Sequence, residues 1–334
     1  MWRGARGIFL LLVTVAGLAG SDRRALIAQE VLESYEPVSG VLRIGAGPDR
    51  VVALTERGHT LIVPEGSARG VVVFVDPRRF PSGGLERGSN GFEAQASRRN
   101  VAVLHVTTGN PLDFLFEERD VDDLARRIAG VLRANGLGDV PVFLAGLSLG
   151  GTRALRLAEF LARNDAPHGL RATAVAIVDA PLDMVRLWGA ERRAATIGFH
   201  PSAADEGRWV RYLLETHLGG DPHEAREAYV RYSPFVFGEP GGGNAVQLRD
   251  VAVRAYHEPD VDWWIENRRK SYYGMNSLDL AALVNELRLL GNDRAFLVTT
   301  HGRRSGYAEG ASPHTWSIVN DAELVEWFLA QVRR

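Results

Sequence analysis

The sequence predicts an α/β fold in which helices cover both faces of a mostly parallel, doubly wound β-sheet. Apolar runs typical of β-strands occur at 70–76, 100–106 and 141–146. Amphipathic helical patterns occur at 120–136 and 151–164, on either side of the third run. Because strands and helices alternate closely along the chain, we expect βαβ units, which place parallel strands in one sheet and helices on its faces.

Each predicted element has a local signature. The run GVVVFVD at 70–76 is almost entirely apolar, as expected for a strand that is buried on both faces. The segment 120–136 places Val121, Leu124 and Ile128 on one stripe of a helix. The same patterns predict further strands at 50–56, 60–66, 172–180, 250–258 and 294–300, and further helices at 277–291 and 321–332.

The regular alternation is interrupted between residues 181 and 248. Trp, Pro, Gly and Arg become frequent there, and the helical stretches are short and broken. We therefore expect an insertion of roughly 70 residues, within the few-residue error of such boundaries. The core of the fold is predicted to comprise 21–180 and 249–334.

Composition excludes several classes of function. The chain has 334 residues, a formal net charge of −2, no long run of like charge and no cysteine. This charge pattern gives no sign of a nucleic-acid partner. The absence of cysteine excludes disulfides, thiolate catalysis and cysteine zinc sites. The sequence carries no zinc, phosphate-loop or dinucleotide motif, so we expect neither a metal nor a cofactor.

The N-terminal residues resemble a secretory signal. Arg3 and Arg6 precede an apolar stretch at 8–19, and small residues follow it. We predict a signal peptide over 1–20, cut near Ala19 or Gly20, and a secreted or periplasmic protein. The stretch is short for a bilayer span, so no stable span is expected in the mature protein. An uncleaved anchor and a misassigned start codon stay open as alternatives.

One serine stands in a pattern that favours nucleophilic catalysis. In PVFLAGLSLGG, at 141–151, Ser148 separates a predicted strand from a predicted helix. Such a turn brings backbone segments close together, which favours Gly146 and Gly150 on either side of the serine. The helix start then offers free N–H groups to a developing oxyanion. A glycine-rich turn without catalytic function is the alternative.

On this motif, the chain resembles the α/β-hydrolases from about residue 40 to its end. The resemblance implies a triad in the chain order serine, acid, histidine, with the histidine after the last strand. It also implies that the insertion at 181–248, which precedes the acid-bearing strand, forms a cap over the active site.

The resemblance leaves a choice of histidine and of acid. His314 follows a glycine-containing loop and is favoured over His301, which stands at the end of the last predicted strand. For the acid we expect Asp260, which follows a proline just after the strand at 250–258. The alternatives, in order, are Asp262, Glu258 and Asp179, the last because some members carry the acid after the preceding strand.

The oxyanion hole implied by the resemblance combines two backbone N–H groups. One belongs to Leu149, which follows the nucleophile. The other comes from the loop after 70–76, where Pro77 has no N–H, so we assign Arg78. Alternatively, Arg78 and Arg79 contact an anionic substrate group or are solvated loop charges.

The sequence thus predicts a serine hydrolase that cleaves a carboxylic ester in a small substrate through an acyl-enzyme. A peptidase of the same fold is the first alternative, with the insertion residues Arg186, Glu191, Arg192 and Arg193 available to anchor a peptide terminus. A non-catalytic binding protein is the second. The aromatic segment 262–276 is interpreted either as a pocket lining or, preferably, as a helix docked by its aromatic stripe. The oligomeric state is left open.

Overall fold

A central sheet forms from the apolar runs of the sequence. The computed structural model describes residues 29–81, 91–307 and 310–332, and the predicted signal peptide lies outside them. The strands of the large sheet are β1 (Gln29–Pro37), β4 (Glu56–Pro64), β5 (Val71–Asp76), β6 (Ala102–Thr107), β7 (Val142–Leu147), β8 (Ala172–Val178), β9 (Ala252–His257) and β10 (Ala295–Thr299). Two short hairpins add β2 (Val41–Arg43) with β3 (Val51–Ala53), and β11 (Ser305–Tyr307) with β12 (Gly310–Ser312).

The strand order is β1-β4-β6-β5-β7-β8-β9-β10. From β6 to β10 every neighbouring pair is parallel, whereas β4 is antiparallel to both β1 and β6. The mostly parallel sheet predicted from the sequence is therefore confirmed. Strand β1 was not predicted, because its sequence QEVLESYEP carries too many polar residues to give an apolar run.

Helices cover both faces of the sheet. The helices are α1 (Phe92–Ser97), α2 (Glu118–Ala134), α3 (Leu149–Arg163), α4 (Met184–Ile197), α5 (Pro201–Leu218), α6 (Arg226–Tyr232), α7 (Val261–Arg268), α8 (Asn276–Leu289) and α9 (Asp321–Gln331). Alternate residues of β5 show the layering: Val71 and Val73 pack toward α2, α3 and α8, whereas Val72 and Phe74 pack toward α1 and α9. The doubly wound arrangement is confirmed.

The segment between β8 and β9 carries helices α4, α5 and α6. Trp188, Leu213 and Tyr229 from these helices form a separate apolar cluster with Phe114 and Phe116 from the connection between β6 and α2. The predicted insertion at 181–248 falls on this segment. Its function as a cap over the active site stays a prediction.

Helix α7 differs from its expected packing. None of its residues is fully buried, although it carries Trp263 and Trp264. The two indole rings are half-buried and contact each other edge to face, with centroids 5.0 Å apart. Among the described residues, no helix is both long and apolar enough to cross a bilayer.

Candidate active site

Ser148 lies at the sharp turn between β7 and α3. Its backbone has φ 56° and ψ −129°, a conformation that costs energy for any residue with a side chain. The Ser148 N–H donates to the carbonyl of Val178 at the end of the neighbouring strand, at 2.8 Å. The turn thus holds a half-buried serine at the carboxyl edge of the sheet, between β7 and β8.

The glycines around Ser148 are not equally constrained. A Cβ atom on Gly146 would lie 2.3 Å from the carbonyl carbon and oxygen of Gly150, so no larger residue fits there. A Cβ on Gly151 would lie 2.8 Å from Cβ of Ala180. A Cβ on Gly150 would meet only Val75 O, at 3.4 Å. The tight approach expected at Gly150 therefore occurs at Gly151 instead.

The structure pairs His314 with Asp179. Nδ1 of His314 lies 2.6 Å from Oδ2 of Asp179, which follows β8 directly. The Asp179 side chain is 8% exposed and the His314 side chain 33%, so the carboxylate is covered while the imidazole stays accessible. A carboxylate at Nδ1 fixes the tautomer that leaves Nε2 free to accept a proton.

The backbone of Asp179 is held on both sides. Its φ of 40° is unfavourable for a non-glycine residue. Its N–H donates to the carbonyl of Tyr256 at 2.9 Å, and Asn276 Nδ2 donates to its carbonyl at 2.9 Å. The sequence reasoning missed Asn276, because a contact across 97 residues leaves no local signal.

The pKa of His314 is raised above its ordinary value. Burial by itself lowers this pKa, but the charge of Asp179 and its hydrogen bond to the ring outweigh that effect. Glu206 adds to the increase, and Lys270 opposes it. The site therefore favours the imidazolium that forms when His314 takes a proton.

The expected acid, Asp260, contacts Trp263 and Arg304 in the structure, and its catalytic role stays a prediction. This residue caps the start of α7: one carboxylate oxygen accepts from Trp263 N–H at 3.2 Å, and the other lies 2.5 Å from Arg304 Nη2. Helix α7 begins soon after β9, so Asp260 is the N-cap residue of that helix. His314 instead contacts Asp179 at the end of β8, the strand next to β7, which Ser148 follows.

The alternative acids after β9 and the alternative histidine have other surroundings than the His314–Asp179 pair. Glu258 is buried and accepts the N–H of Arg303 at 3.0 Å. Asp262 is exposed in the first turn of α7, and His301 is exposed in the loop after β10. The fourth choice, Asp179, is thus the carboxylate that contacts the favoured histidine, His314.

The helix start beside Ser148 offers unpaired N–H groups. Leu149 is the first residue of α3, so its N–H has no acceptor within the helix. A Cβ atom on Gly150 would lie 3.4 Å from Val75 O, so the end of β5 lies next to this helix start. Arg78 follows that strand end, after Pro77, and is exposed. An oxyanion hole from Leu149 and Arg78 stays a prediction.

A buried histidine that was not predicted fixes the loop after β5. Nδ1 of His105 lies 2.7 Å from Asp76, and Nε2 lies 3.3 Å from Glu93. Its ring stacks on Phe80 at 3.7 Å and on Phe74 at 5.1 Å. Burial lowers the pKa of His105, but the two carboxylates raise it to about 9. Asp76 and Phe80 flank the segment that carries Arg78, so this cluster holds both ends of that segment.

No group of three or more His, Asp or Glu side chains within 29–81, 91–307 and 310–332 is arranged to hold a metal ion. The groups assigned to the candidate site are a serine, a histidine, a carboxylate and backbone N–H groups.

Comparisons with known proteins identify the fold. No family model matches the chain, and no curated protein sequence matches it. Among solved structures, the chain is similar to an esterase from Pyrobaculum calidifontis, with 14% identity and a TM-score of 0.51, over 91% of this chain and 85% of that one. A thermostable esterase from Pseudomonas putida matches with 13% identity and a TM-score of 0.49, over 93% and 82% of the two chains.

A third solved structure is an acylaminoacyl peptidase from Pyrococcus horikoshii, with 14% identity and a TM-score of 0.48. The match covers 90% of this chain but only 41% of the peptidase. At such identities the likeness shows the fold alone. The strand order, the helices on both faces and the likeness to the Pyrobaculum calidifontis esterase show that this chain has the α/β-hydrolase fold.

Proposed function

We propose that this protein is a serine hydrolase that cleaves carboxylic esters of small substrates, with Ser148 as nucleophile, His314 as base and Asp179 as the orienting acid. One observation carries the proposal: the 2.6 Å contact between His314 and Asp179, which follows the strand next to Ser148. A histidine that is oriented by a carboxylate and lies on the same sheet edge as a strained serine matches the arrangement used for acyl transfer.

In the proposed reaction, His314 Nε2 takes the Ser148 hydroxyl proton as the serine oxygen attacks the ester carbonyl. The N–H groups of Leu149 and Arg78 stabilise the resulting oxyanion. His314 then gives the proton to the leaving alkoxide, and an alcohol departs. Water attacks the acyl-enzyme while His314 accepts its proton. The proton returns to Ser148 as the carboxylic acid leaves. Every proton is carried by His314, so the sequence of steps uses no cofactor.

The direct test is labelling of the purified protein with a fluorophosphonate, followed by mass spectrometry of the modified peptide. We expect the label on Ser148, and hydrolysis of ethyl butyrate that Ser148→Ala abolishes without changing Tm by more than a few degrees. Full activity in a folded Ser148→Ala variant would refute the assignment. A folded wild-type protein that takes no label and turns over no ester would favour a non-catalytic binding protein.

We also propose that the protein is exported, on the basis of the charged and apolar pattern at 1–20. Expression of the full chain in a bacterial host, followed by N-terminal sequencing, tests this. A mature chain that starts near Ser21 outside the cytoplasm is expected, whereas an intact Met1 in the cytoplasm would contradict export.

A further inference from the structure

A cavity lined by cationic side chains lies between α4 and the segment 268–274. Its volume is about 250 Å³, and a second, shallower cavity of about 430 Å³ shares part of the same lining. The first cavity has five cationic lining residues: Arg186, Arg193, Arg268, Arg269 and Lys270. No carboxylate of the described residues lines either cavity. The site therefore favours an anion.

Two of the five charges are already neutralised inside the protein. Arg186 Nη2 donates to the buried carboxylate of Asp279 at 2.7 Å. Lys270 Nζ donates to the buried carboxylate of Glu191 at 2.9 Å. These pairs fix the position of the cavity wall and contribute little net charge to it.

Two other charges have no acidic partner. In the described part of the chain, neither Arg193 nor Arg269 pairs with a carboxylate, and both line both cavities. The guanidinium of Arg269 lies 4.4 Å above the ring of Phe199, which holds it in place. Two guanidinium groups with free N–H donors suit the planar oxygens of a carboxylate.

Arg269 also occupies a position that disfavours it. It ends α7 with φ 51°, and the N–H of Lys270 bonds the carbonyl of Trp264, which is the helix ending that usually takes glycine. An arginine here is held in an unfavourable conformation beside the cavity.

The cavity is connected to the catalytic residues by the same segment. Arg186 Nη1 donates to Tyr273 O at 3.3 Å, and Asn276, at the start of α8, donates to the carbonyl of Asp179. The segment that lines the cavity thus leads to the residue that holds Asp179, and we take a substrate group bound here to belong to the molecule that is cleaved at Ser148.

We propose that the cavity binds a carboxylate of the substrate, so that the enzyme prefers esters or peptides with a free carboxylate over neutral ones. This inference rests on the proposed function and names its substrate class. The cavity is small compared with a complete ligand pocket, which suits a side arm of the substrate and not the whole molecule.

The test compares charged and neutral substrates of equal length. We would measure kcat/KM for monoethyl esters of dicarboxylic acids with five to eight carbons, and for ethyl esters of the corresponding monocarboxylic acids. A second arm uses N-acetyl dipeptides with a free or an amidated C-terminus, which places the carboxylate on the leaving group. In one arm we expect kcat/KM to be at least tenfold higher for the substrate with the free carboxylate. That arm identifies whether the bound carboxylate belongs to the acyl group or to the leaving group.

Arg193→Gln and Arg269→Gly should each reduce this preference about tenfold through KM, with turnover of the neutral ester unchanged. Glycine suits the left-handed position, so Arg269→Gly should keep its Tm. Arg192→Gln is the matched control: Arg192 neighbours Arg193 on α4, lies over the Trp188 ring at 5.0 Å and does not line the cavity. Equal turnover of charged and neutral substrates, or an equal loss in Arg192→Gln, would overturn the proposal.

A binding measurement separates this inference from the proposed function. If no ester or peptide is cleaved, adipate is titrated against wild type, Arg193→Gln and Arg192→Gln while tryptophan fluorescence is recorded. Trp264, whose ring lies 5.8 Å from Lys270 Nζ, serves as the reporter. Saturable binding that Arg193→Gln alone weakens would support the carboxylate site even without catalysis. No binding at millimolar adipate would overturn it.

Discussion

Oδ2 of Asp179 lies 2.6 Å from Nδ1 of His314, across 135 residues of sequence, and joins the end of β8 to the loop before α9. Asp179 and Ser148 therefore follow neighbouring strands, because β7 and β8 are paired directly in the sheet. The acid expected from the chain order, Asp260, is instead part of the N-terminus of α7.

Asp179→Asn should lower kcat for ester hydrolysis by about 10³- to 10⁴-fold, because an amide that donates to Nδ1 would stabilise the wrong tautomer of His314. Asp260→Asn should change kcat by only a few fold, since Asp260 bonds Trp263 and Arg304. Initial rates of both variants, with Tm as the folding control, test this. The opposite order of effects would return the role of the acid to Asp260.

The pH dependence of kcat/KM should report the His314–Asp179 pair. Asp179 raises the pKa of His314 above its ordinary value of 6.5, despite burial of the ring. Because the base must be deprotonated in the free enzyme, the acidic limb should have its midpoint above 6.5. Removing the negative charge in Asp179→Asn should lower that pKa and move the limb to lower pH. If the midpoint of the acidic limb is the same in wild type and Asp179→Asn, a group other than the His314–Asp179 pair determines it.

The nucleophile turn could be predicted from sequence because its determinants lie within 141–151: an apolar strand, the serine and a helix with glycines around the turn. The carboxylate that contacts His314 could not be predicted in the same way. Glu258, Asp260 and Asp262 all follow β9, and only the path of the loop from β10 to His314 decides which strand end it reaches. That path depends on tertiary contacts, which the local sequence does not specify. The same is true of the cluster around His105, whose partners come from β5 and the helix after it.

Gly146→Ala and Gly150→Ala should differ sharply although both change the same motif. The added methyl group at position 146 would meet backbone atoms of Gly150 at 2.3 Å, and backbone cannot move aside cheaply. We expect a loss of more than about 3 kcal/mol in the free energy of unfolding, at the upper end of overpacking costs. At position 150 the methyl group would have ordinary contacts, and alanine favours the helix, so stability should change by less than about 1 kcal/mol. Urea unfolding of the two variants tests the prediction, and similar losses would contradict it.

His105 should make the stability of the fold depend on pH between neutral and alkaline values. Its folded pKa is about 9, against 6.5 when unfolded, because Asp76 and Glu93 stabilise the charged ring against the cost of burial. A pKa that is raised on folding contributes stability that is fully present below about 6.5 and is lost as the pH rises through about 9.

From the size of this pKa shift, the unfolding free energy of wild type should fall between pH 6 and pH 9.5 by on the order of 3 kcal/mol more than that of His105→Gln. Urea unfolding of both proteins at the two pH values measures the difference. The same variant should lower kcat more than it raises KM, because the loop that carries Arg78 loses the ring that holds Asp76 and Phe80. Identical pH dependence in the two proteins would mean that His105 is neutral in the folded state and that packing alone holds this loop.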